Sequence, residues 1–175
     1  MGKAAVWVAG VAGAVGLAAL FGALHDQVTY GISPEYYTAL KFLQFHLVPA
    51  PGEGALMLHL RVAAVGVLAT WWVGAGLGVM LATLNLIQRD AAAMARSLLR
   101  GAFWVVAMAV LFAVAGYLLW PRLQAAGLQV PMPVGVKDAY AFGRVGLIHD
   151  FSYLGGAVGG GLAVLSALAA RILRR

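Results

Sequence analysis

Cysteine is absent from the sequence, and charge is scarce. Among the 175 residues there are no cysteines, 12 Lys and Arg, and 6 Asp and Glu, so that 10% are charged, against about 25% in an ordinary soluble domain. The lack of cysteine excludes disulfides, thiolate nucleophiles and cysteine-based zinc or iron–sulfur sites. Because 63% of the chain is hydrophobic, it cannot cover itself with polar surface. The composition therefore excludes a soluble enzyme, a disordered tail and a nucleic-acid-binding protein.

Long hydrophobic runs take the place of the missing charge. A bilayer core of about 30 Å needs about 20 apolar residues in a helix, and lipid offers the backbone no hydrogen-bond partners outside the helix. Polar residues and one proline separate four runs of this length, at 4–24, 62–87, 101–120 and 145–170. The sequence therefore predicts an all-α integral membrane protein in contact with the lipid bilayer, in which residues 1–175 form a single transmembrane domain, a four-helix bundle.

The basic residues predict how these spans are oriented. Seven of them lie on one side of a four-span bundle, namely Lys3, Arg89, Arg96, Arg100, Arg171, Arg174 and Arg175, and five lie on the other side. By the positive-inside rule, both termini are then cytoplasmic and the loops 25–61 and 121–144 face the extracytoplasmic side. The first run lacks a clear small-residue cleavage site before His25, so we expect it to remain as a span rather than to act as a signal peptide.

Glycine is concentrated inside two of the spans. The second span contains Gly74, Gly76 and Gly78, and the fourth contains two overlapping GxxxG patterns, at Gly155 and Gly159 and at Gly156 and Gly160. In lipid, small residues allow helix backbones to approach closely, and this approach holds the helices together. The pattern predicts tight helix packing. It leaves open whether the packing is within the chain or between the subunits of a homo-oligomer.

The first outer loop has the signals of a surface helix. Ser33 suits the N-cap, Pro34 the first helical position and Glu35 the first turn. Apolar residues then recur at helical spacing, and the run Pro-Ala-Pro-Gly at 49–52 ends the pattern. The expected apolar face consists of Tyr36, Leu40, Leu43 and Leu47. We predict an interfacial amphipathic helix over about 34–47 that covers the outer end of the bundle.

All histidines fall on the outer side of this topology. They are His25, His46, His59 and His149. Two of them belong to His-Asp pairs: His25-Asp26 follows the first span, and His149-Asp150 lies early in the last one. In an up-down bundle the first and last helices are neighbours, so the two pairs can approach each other. Ionisable groups in a bilayer are costly and are usually paired or functional, and the sequence therefore predicts a polar site here.

Metal binding is the chemistry that these side chains suit best. Imidazole and carboxylate groups together bind zinc, copper or iron. The candidate ligands are His25, Asp26, Glu35, His59, His149 and Asp150, with Tyr30, His46, Arg61 and Tyr153 as secondary candidates. Adjacent helical residues point about 100° apart, so one His-Asp pair is not expected to hold an ion with both members. Haem between His25 and His149 is a weaker alternative, because both lie near the membrane edge.

Other functions are open on the same residues. The glycine-rich spans and the intramembrane pair His149-Asp150 fit a small oligomeric transporter or channel, although the second and third spans have no ionisable residue in their middles. Small size and glycine-rich faces also fit a non-catalytic subunit or assembly factor of a larger membrane complex. Thr29 and Ser152 are candidate nucleophiles, but no nucleophile elbow marks either one. The sequence therefore assigns no catalytic role.

Two segments carry a resemblance to a family. They are HDQVTYGISPEYYTALKFLQF at 25–45 and RVGLIHDFSYLGG at 144–156, about a fifth of the chain. They resemble small multi-pass bacterial membrane proteins of uncharacterised function with an HDQxTYxxSPEY-like motif. The resemblance implies a multi-pass protein of the bacterial inner membrane. It brings no activity, cofactor, partner or further site residue.

Overall fold

The computed structural model describes residues 2–172, so Arg174 and Arg175 of the orientation argument lie outside the described residues. The elements are α1 (Lys3–Ile32), α2 (Pro34–Tyr36), a π-helical turn (Tyr37–Lys41), α3 (Phe42–Gln44), α4 (Ala55–Leu84), a 3-10 turn (Asn85–Ile87), α5 (Ala91–Ala125) and α6 (Ala139–Ile172). Among them, α1, α4, α5 and α6 are long and apolar enough to cross a membrane. The predicted all-α fold with four candidate spans is confirmed.

The long helices extend beyond the apolar runs that predicted them. Helix α1 has 30 residues, which is about 45 Å at 1.5 Å per residue, against a hydrocarbon thickness of about 30 Å. Its last turns carry the polar residues that follow the first run. Helix α5 begins at an N-cap, where Asp90 accepts a hydrogen bond from the Ala93 N–H at 2.7 Å, and it continues through Pro121 to Ala125. Polar side chains therefore lie at the ends of these helices, outside the apolar runs.

Helices α1 and α4 pack as one close pair. A Cβ atom on Gly66 would overlap the backbone of Gly22, and one on Gly74 would lie 2.5 Å from the Ala14 carbonyl oxygen. The backbones can approach so closely only because these positions are glycine. Thr70 of α4 adds a hydrogen bond to the Ala18 carbonyl at 2.7 Å.

Helices α5 and α6 form a second close pair. A Cβ atom on Gly159 would lie 2.5 Å from the Trp104 carbonyl oxygen, and Gly155 meets the backbone of Met108 in the same way. A Cβ atom on Gly156, which belongs to the overlapping GxxxG pattern, would meet nothing within 4 Å. One of the two glycine patterns is therefore used for packing inside the chain.

Hydrogen bonds join the two helix pairs at one end of the bundle. Lys3 Nζ donates to the Leu86 carbonyl at 3.0 Å and also to that of Gln88, and the Gln88 amide donates to the Ala167 carbonyl at 3.0 Å. The start of α1, the α4–α5 loop and the end of α6 therefore share one end of the bundle. Asp26 is 23 residues further along α1, or about 35 Å along the axis. It lies at the opposite end.

A short cap, residues 34–44, covers that opposite end. As predicted, Ser33 begins it, and its Oγ accepts a hydrogen bond from the Tyr36 N–H at 3.3 Å. The predicted helix forms over 34–44 rather than 34–47, and of its predicted apolar face Tyr36, Leu40 and Leu47 pack in or against the core cluster, whereas Leu43 does not. The Phe42 N–H bonds to the Tyr37 carbonyl, five residues back, and this π turn rotates the residues that follow. Tyr37 and Phe42 are fully buried, whereas Leu43 is 56% exposed.

The cap ends earlier than the proline run suggested. His46 has a φ of 56°, and the Leu47 N–H donates to the Phe42 carbonyl at 2.8 Å. This is a Schellman arrangement, in which a residue in the left-handed conformation closes the last turn of a helix. His46 is exposed at this position. Its place in the structure is that of a helix terminator, apart from the other histidines.

Candidate metal centre

Three of the predicted ligands come together beneath the cap. One ligand atom each from His25, Asp26 and His149 lie within 4.8 Å of one another. Asp26 Oδ1 is 3.2 Å from His149 Nε2 and 3.4 Å from His25 Nδ1. Asp26 and His149 are only 3% and 7% exposed. The predicted approach of α1 and α6 therefore brings together a buried group of two imidazoles and one carboxylate.

The adjacent pair His25 and Asp26 differs from what the sequence analysis expected. His25 and Asp26 are adjacent on α1, and helical geometry argued against both serving one ion. In the structure the Asp26 carboxylate turns back toward His25 while also reaching α6, so that its Oδ1 contacts both rings. Although the two Cβ atoms point about 100° apart, the side-chain torsions of His25 and Asp26 bring the ring and the carboxylate into contact. Both members of the pair belong to the group.

The protonation of His149 follows from its hydrogen bonds. His149 Nδ1 is 2.9 Å from the Val145 carbonyl oxygen, which can only accept, so Nδ1 carries the proton. In a neutral imidazole, Nε2 then has a lone pair, and it faces a carboxylate oxygen at 3.2 Å. Two lone pairs at this distance repel each other unless a proton or a cation lies between them. A backbone carbonyl that fixes the tautomer in this way is also typical of histidine ligands to metals.

Two further atoms of the group have no partner. His25 Nε2 and Asp26 Oδ2 are buried and make no hydrogen bond with the described residues. An unpaired buried polar atom costs about 1–3 kcal/mol, more when it is charged. The group is thus incomplete as a hydrogen-bond network. Asp26 Oδ2 is a donor of an electron pair, and so is His25 Nε2 in the tautomer with its proton on Nδ1, and this is the property that a cation requires.

Aromatic rings enclose the group. Tyr36 of the cap stacks on His149 with ring centroids 5.2 Å apart, and Phe21 stacks on His25 at 5.5 Å. The two imidazoles are edge to face at 4.8 Å. A haem held by both histidines would need a macrocycle between these rings. With Asp26 in contact with both, there is no room for one, so the haem alternative does not fit this geometry.

The cap also brings Tyr37 and Lys41, which the sequence analysis did not select. The hydroxyls of Tyr37 and Thr29 are 2.6 Å apart and buried. Burial raises the pKa of Tyr37 above its ordinary value, so the phenol keeps its proton. Burial lowers the pKa of Lys41, and the negative charges of Asp26 and Asp150 oppose this shift. The Lys41 ammonium thus partly balances the buried Asp26 carboxylate. The only early signal was their position within the segment 25–45.

Several predicted candidates lie outside the group. His59 is exposed and bonds through Nδ1 to the Gln27 side-chain oxygen at 2.8 Å. Arg61 is paired with Glu53, its Nε lying 2.9 and 2.8 Å from the two carboxylate oxygens. Tyr30 packs edge to face between Tyr37 and His59. These residues support the loop around the site, and the structure does not bring them to the three ligands.

The remaining candidate ligands also lie outside the group of three. Asp150 is exposed, because it points away from its neighbour His149 on α6. Tyr153 is 43% exposed and lines the cavity described below. Both oxygens of Glu35 accept backbone hydrogen bonds, from Lys137 at 2.8 Å and Asp138 at 2.9 Å. Since these bonds already use the Glu35 carboxylate, it acts as a link between the cap and the loop before α6 rather than as a fourth ligand.

This link predicts an acid-sensitive loop. The Asp138 and Lys137 N–H groups hold the pKa of Glu35 below its ordinary value of 4.5. A carboxyl with a depressed folded pKa stabilises the fold above its unfolded pKa and loses this contribution as pH falls through the folded value. We expect amide exchange at 137 and 138, corrected for intrinsic rates, to lose protection below pH 4.5. Glu35→Ala should remove the protection at all pH values.

Glu53→Ala is the matched control for Glu35→Ala, because it removes a carboxylate from the same outer side without touching these amides. Protection at 137 and 138 should be unchanged in this variant. Protection that is equal in Glu35→Ala and in the original chain would show that other contacts hold the loop.

An apolar cavity begins at the three ligands. It has a volume of about 580 Å³ and lies between the α1–α4 pair and the α5–α6 pair. His25, Asp26 and His149 line one end of it, and Ala9 and Gly10 line the other. Most of the lining between the ends is alanine, glycine, leucine and valine. The group is therefore covered by the cap on one side and open to an apolar space on the other.

Comparison of the chain with models of protein families, with curated proteins and with solved structures finds no match. The chemistry of the site therefore rests on the geometry of its own residues.

Proposed function

We propose that this is a membrane-embedded metal-binding protein in which His25, Asp26 and His149 hold one transition-metal ion. The observation that carries the proposal is the convergence of His25, Asp26 and His149, from which one ligand atom each lie within 4.8 Å of one another beneath the cap. The unpartnered atoms His25 Nε2 and Asp26 Oδ2 support it. A cation held by one atom of each of the three side chains would neutralise the buried carboxylate.

The donor set selects the class of metal. Two imidazoles and one carboxylate suit iron(II) or zinc, and copper is the third candidate. Three protein ligands leave at least one coordination position for water or for an oxygen atom of a ligand. The cavity supplies space for such a ligand on the side away from the cap. This arrangement is typical of a reactive or ligand-binding metal rather than of a closed structural one.

The position of the site along the bundle suggests its cellular side. Lys3 and the basic α4–α5 loop lie at the end of the bundle opposite to Asp26. The positive-inside rule assigns the basic end to the cytoplasm. Together with the resemblance of the segments 25–45 and 144–156, this supports a site at the extracytoplasmic face of a bacterial inner membrane.

A transporter or channel for ions has less support. Besides the three ligands, the polar side chains that line the cavity are Thr70, Ser152 and Tyr153. Thr70 already donates to helix carbonyls. Hydrated ions need a continuous polar path, and this lining does not offer one.

Metal titration tests the proposal. We expect the purified protein, stripped with a chelator and then titrated with Co²⁺, to bind about one equivalent and to show the visible absorption of nitrogen- and oxygen-coordinated cobalt. Co²⁺ reports on a site that zinc or iron can occupy. His149→Ala and Asp26→Asn should each lower the affinity by at least about tenfold, because each removes a ligand.

The neighbours on the same helices are the controls. Asp150→Asn changes the residue next to His149, and His59→Ala removes a histidine from the same outer side, yet neither belongs to the group. Both should bind Co²⁺ as the original protein does. Circular dichroism checks that every variant remains folded. The proposal would be overturned if a folded original protein bound no more Co²⁺ than His149→Ala, or if His59→Ala abolished binding instead.

A further inference from the structure

Arginines converge at the end of the bundle opposite to the candidate metal centre. A small concave pocket there is lined by Arg89 of the α4–α5 loop, Arg100 of α5 and Arg171 of α6. The rest of its lining consists of Gln88, Ala93 and Ala170. Three arginines from three different elements therefore border one concavity, at the place where the two helix pairs are joined by hydrogen bonds.

These arginines have no ion-pair partner among the described residues. Within residues 2–172, every ion pair contains Asp26 or Glu53, which belong to the other end of the bundle. The only acidic residue in the segment 85–100 is Asp90, and its Oδ1 accepts the Ala93 N–H at 2.7 Å, so that it caps α5. Lys3 adds a further cation, because its ammonium donates to the Gln88 carbonyl. Like charges gathered in this way repel each other, and a bound anion relieves the repulsion.

Guanidinium groups indicate the class of anion. Each presents a planar fork of N–H donors that matches the oxygens of a phosphate, with two parallel hydrogen bonds to one group. Arg89 and Arg100 are exposed and Arg171 is half-buried, so an anion outside the protein can reach all three. Basic pockets between transmembrane helices on the cytoplasmic side are typical sites for phospholipid head groups.

The surface beside the pocket favours a phospholipid over a free phosphate ion. Phe103 lies three residues after Arg100 on α5, and Leu168 lies three residues before Arg171 on α6. Residues at this spacing share a helix face. Both apolar side chains are one turn closer to the membrane centre than their arginines, and they are 65% and 39% exposed. An acyl chain can pack on them while its phosphate lies among the arginines.

We infer that Arg89, Arg100 and Arg171 bind the phosphate of one anionic phospholipid in the leaflet at this end of the bundle. The positive-inside rule makes it the cytoplasmic leaflet. The lipid is anionic rather than zwitterionic, because a choline or ethanolamine group would bring another positive charge to the arginines. This site is separate from the proposed metal site and does not depend on it.

Native mass spectrometry of the detergent-solubilised protein tests the inference. The probes are dioleoylphosphatidylglycerol, which is anionic, and dioleoylphosphatidylcholine, which is zwitterionic and has the same acyl chains. An arginine close to anionic lipid contributes about fivefold to the affinity. With three arginines in the pocket, we expect the original protein to bind phosphatidylglycerol at least about tenfold more tightly than phosphatidylcholine.

Single substitutions separate the pocket from the basic end as a whole. Arg100→Gln and Arg171→Gln should each lower the affinity for phosphatidylglycerol by about fivefold and leave that for phosphatidylcholine unchanged. Arg96→Gln is the matched control. Arg96 is an exposed arginine on the same helix as Arg100 and at the same end, but it does not line the pocket. This variant should bind phosphatidylglycerol as the original protein does, and circular dichroism checks that all variants are folded.

Three results would overturn the inference. The first is equal affinity of the original protein for the two lipids. The second is the same loss of phosphatidylglycerol binding in Arg96→Gln as in Arg100→Gln, which would mean that the basic end attracts anionic lipid without a defined site. The third is displacement of phosphatidylglycerol by inorganic phosphate but not by chloride of equal ionic strength, which would make free phosphate the ligand. His149→Ala, which should lose Co²⁺ binding, should keep the preference for phosphatidylglycerol, so the two proposals fail independently.

Discussion

Gly66→Val is expected to separate α1 from α4 and to lower the free energy of unfolding by about 3 kcal/mol or more. A Cβ atom at Gly66 would overlap the backbone of Gly22, and neither backbone can move without breaking the helix pair. Overpacking of a core costs about 1–3 kcal/mol when side chains can adjust, and more when they cannot. Unfolding in detergent with increasing sodium dodecyl sulfate, followed by circular dichroism, measures the change.

Gly76→Val is the matched control for this prediction. Gly76 is on the same helix, ten residues further along, and a Cβ atom there meets nothing within 4 Å. Both substitutions replace glycine by the same β-branched residue, so helix propensity cancels between them. Gly76→Val should change the stability by no more than about 0.5 kcal/mol. Similar losses in the two variants would mean that propensity, and not the close approach of α1 and α4, sets the effect.

Phe42→Ala is expected to destabilise the cap by about 3–5 kcal/mol. Phe42 is fully buried, and it packs with Tyr37, Val62 and Val145, so that the cap, α4 and α6 share one cluster. Removing the ring leaves a void between three elements. Unfolding measurements give the loss of stability, and amide exchange over 34–44 shows whether the cap has opened.

Leu43→Ala separates the observed cap from the amphipathic helix that the sequence predicts. On a regular helix Leu43 belongs to the apolar face, but after the π turn it is 56% exposed. The substitution should therefore change the stability by no more than about 0.5 kcal/mol. If Leu43→Ala proved as costly as Phe42→Ala, the regular register would be correct and the π turn would not.

The Co²⁺ site depends on the same cap. Tyr36 stacks on His149 at 5.2 Å, and it belongs to the cluster that contains Phe42. A cap that opens in Phe42→Ala uncovers the imidazole and admits water to the site. Weaker Co²⁺ binding in this variant, with no change in Leu43→Ala, would show that the cap holds the ligands in place.

The sequence by itself determined the class of protein and the number of spans. Scarce charge and four long apolar runs leave a helical membrane bundle as the available fold, because the bilayer satisfies no backbone polar group. It also placed His25 and His149 at one end, since helix direction and loop position follow from chain order. The N-cap at Ser33 was predictable for a similar reason, because a cap depends on only a few neighbouring residues.

Only the tertiary structure decided which polar residues meet. From the sequence, Glu35 and His59 were equivalent to Asp26 as candidate ligands. In the structure, backbone N–H groups of the loop before α6 donate hydrogen bonds to Glu35, and Gln27 forms a hydrogen bond with His59. These contacts join positions 32 to 103 residues apart, and no local pattern encodes them. The cavity is likewise a property of the two glycine-packed helix pairs, because residues of all four long helices line it. Distances between elements depend on the packing of the whole bundle, and a sequence read along one helix does not contain them.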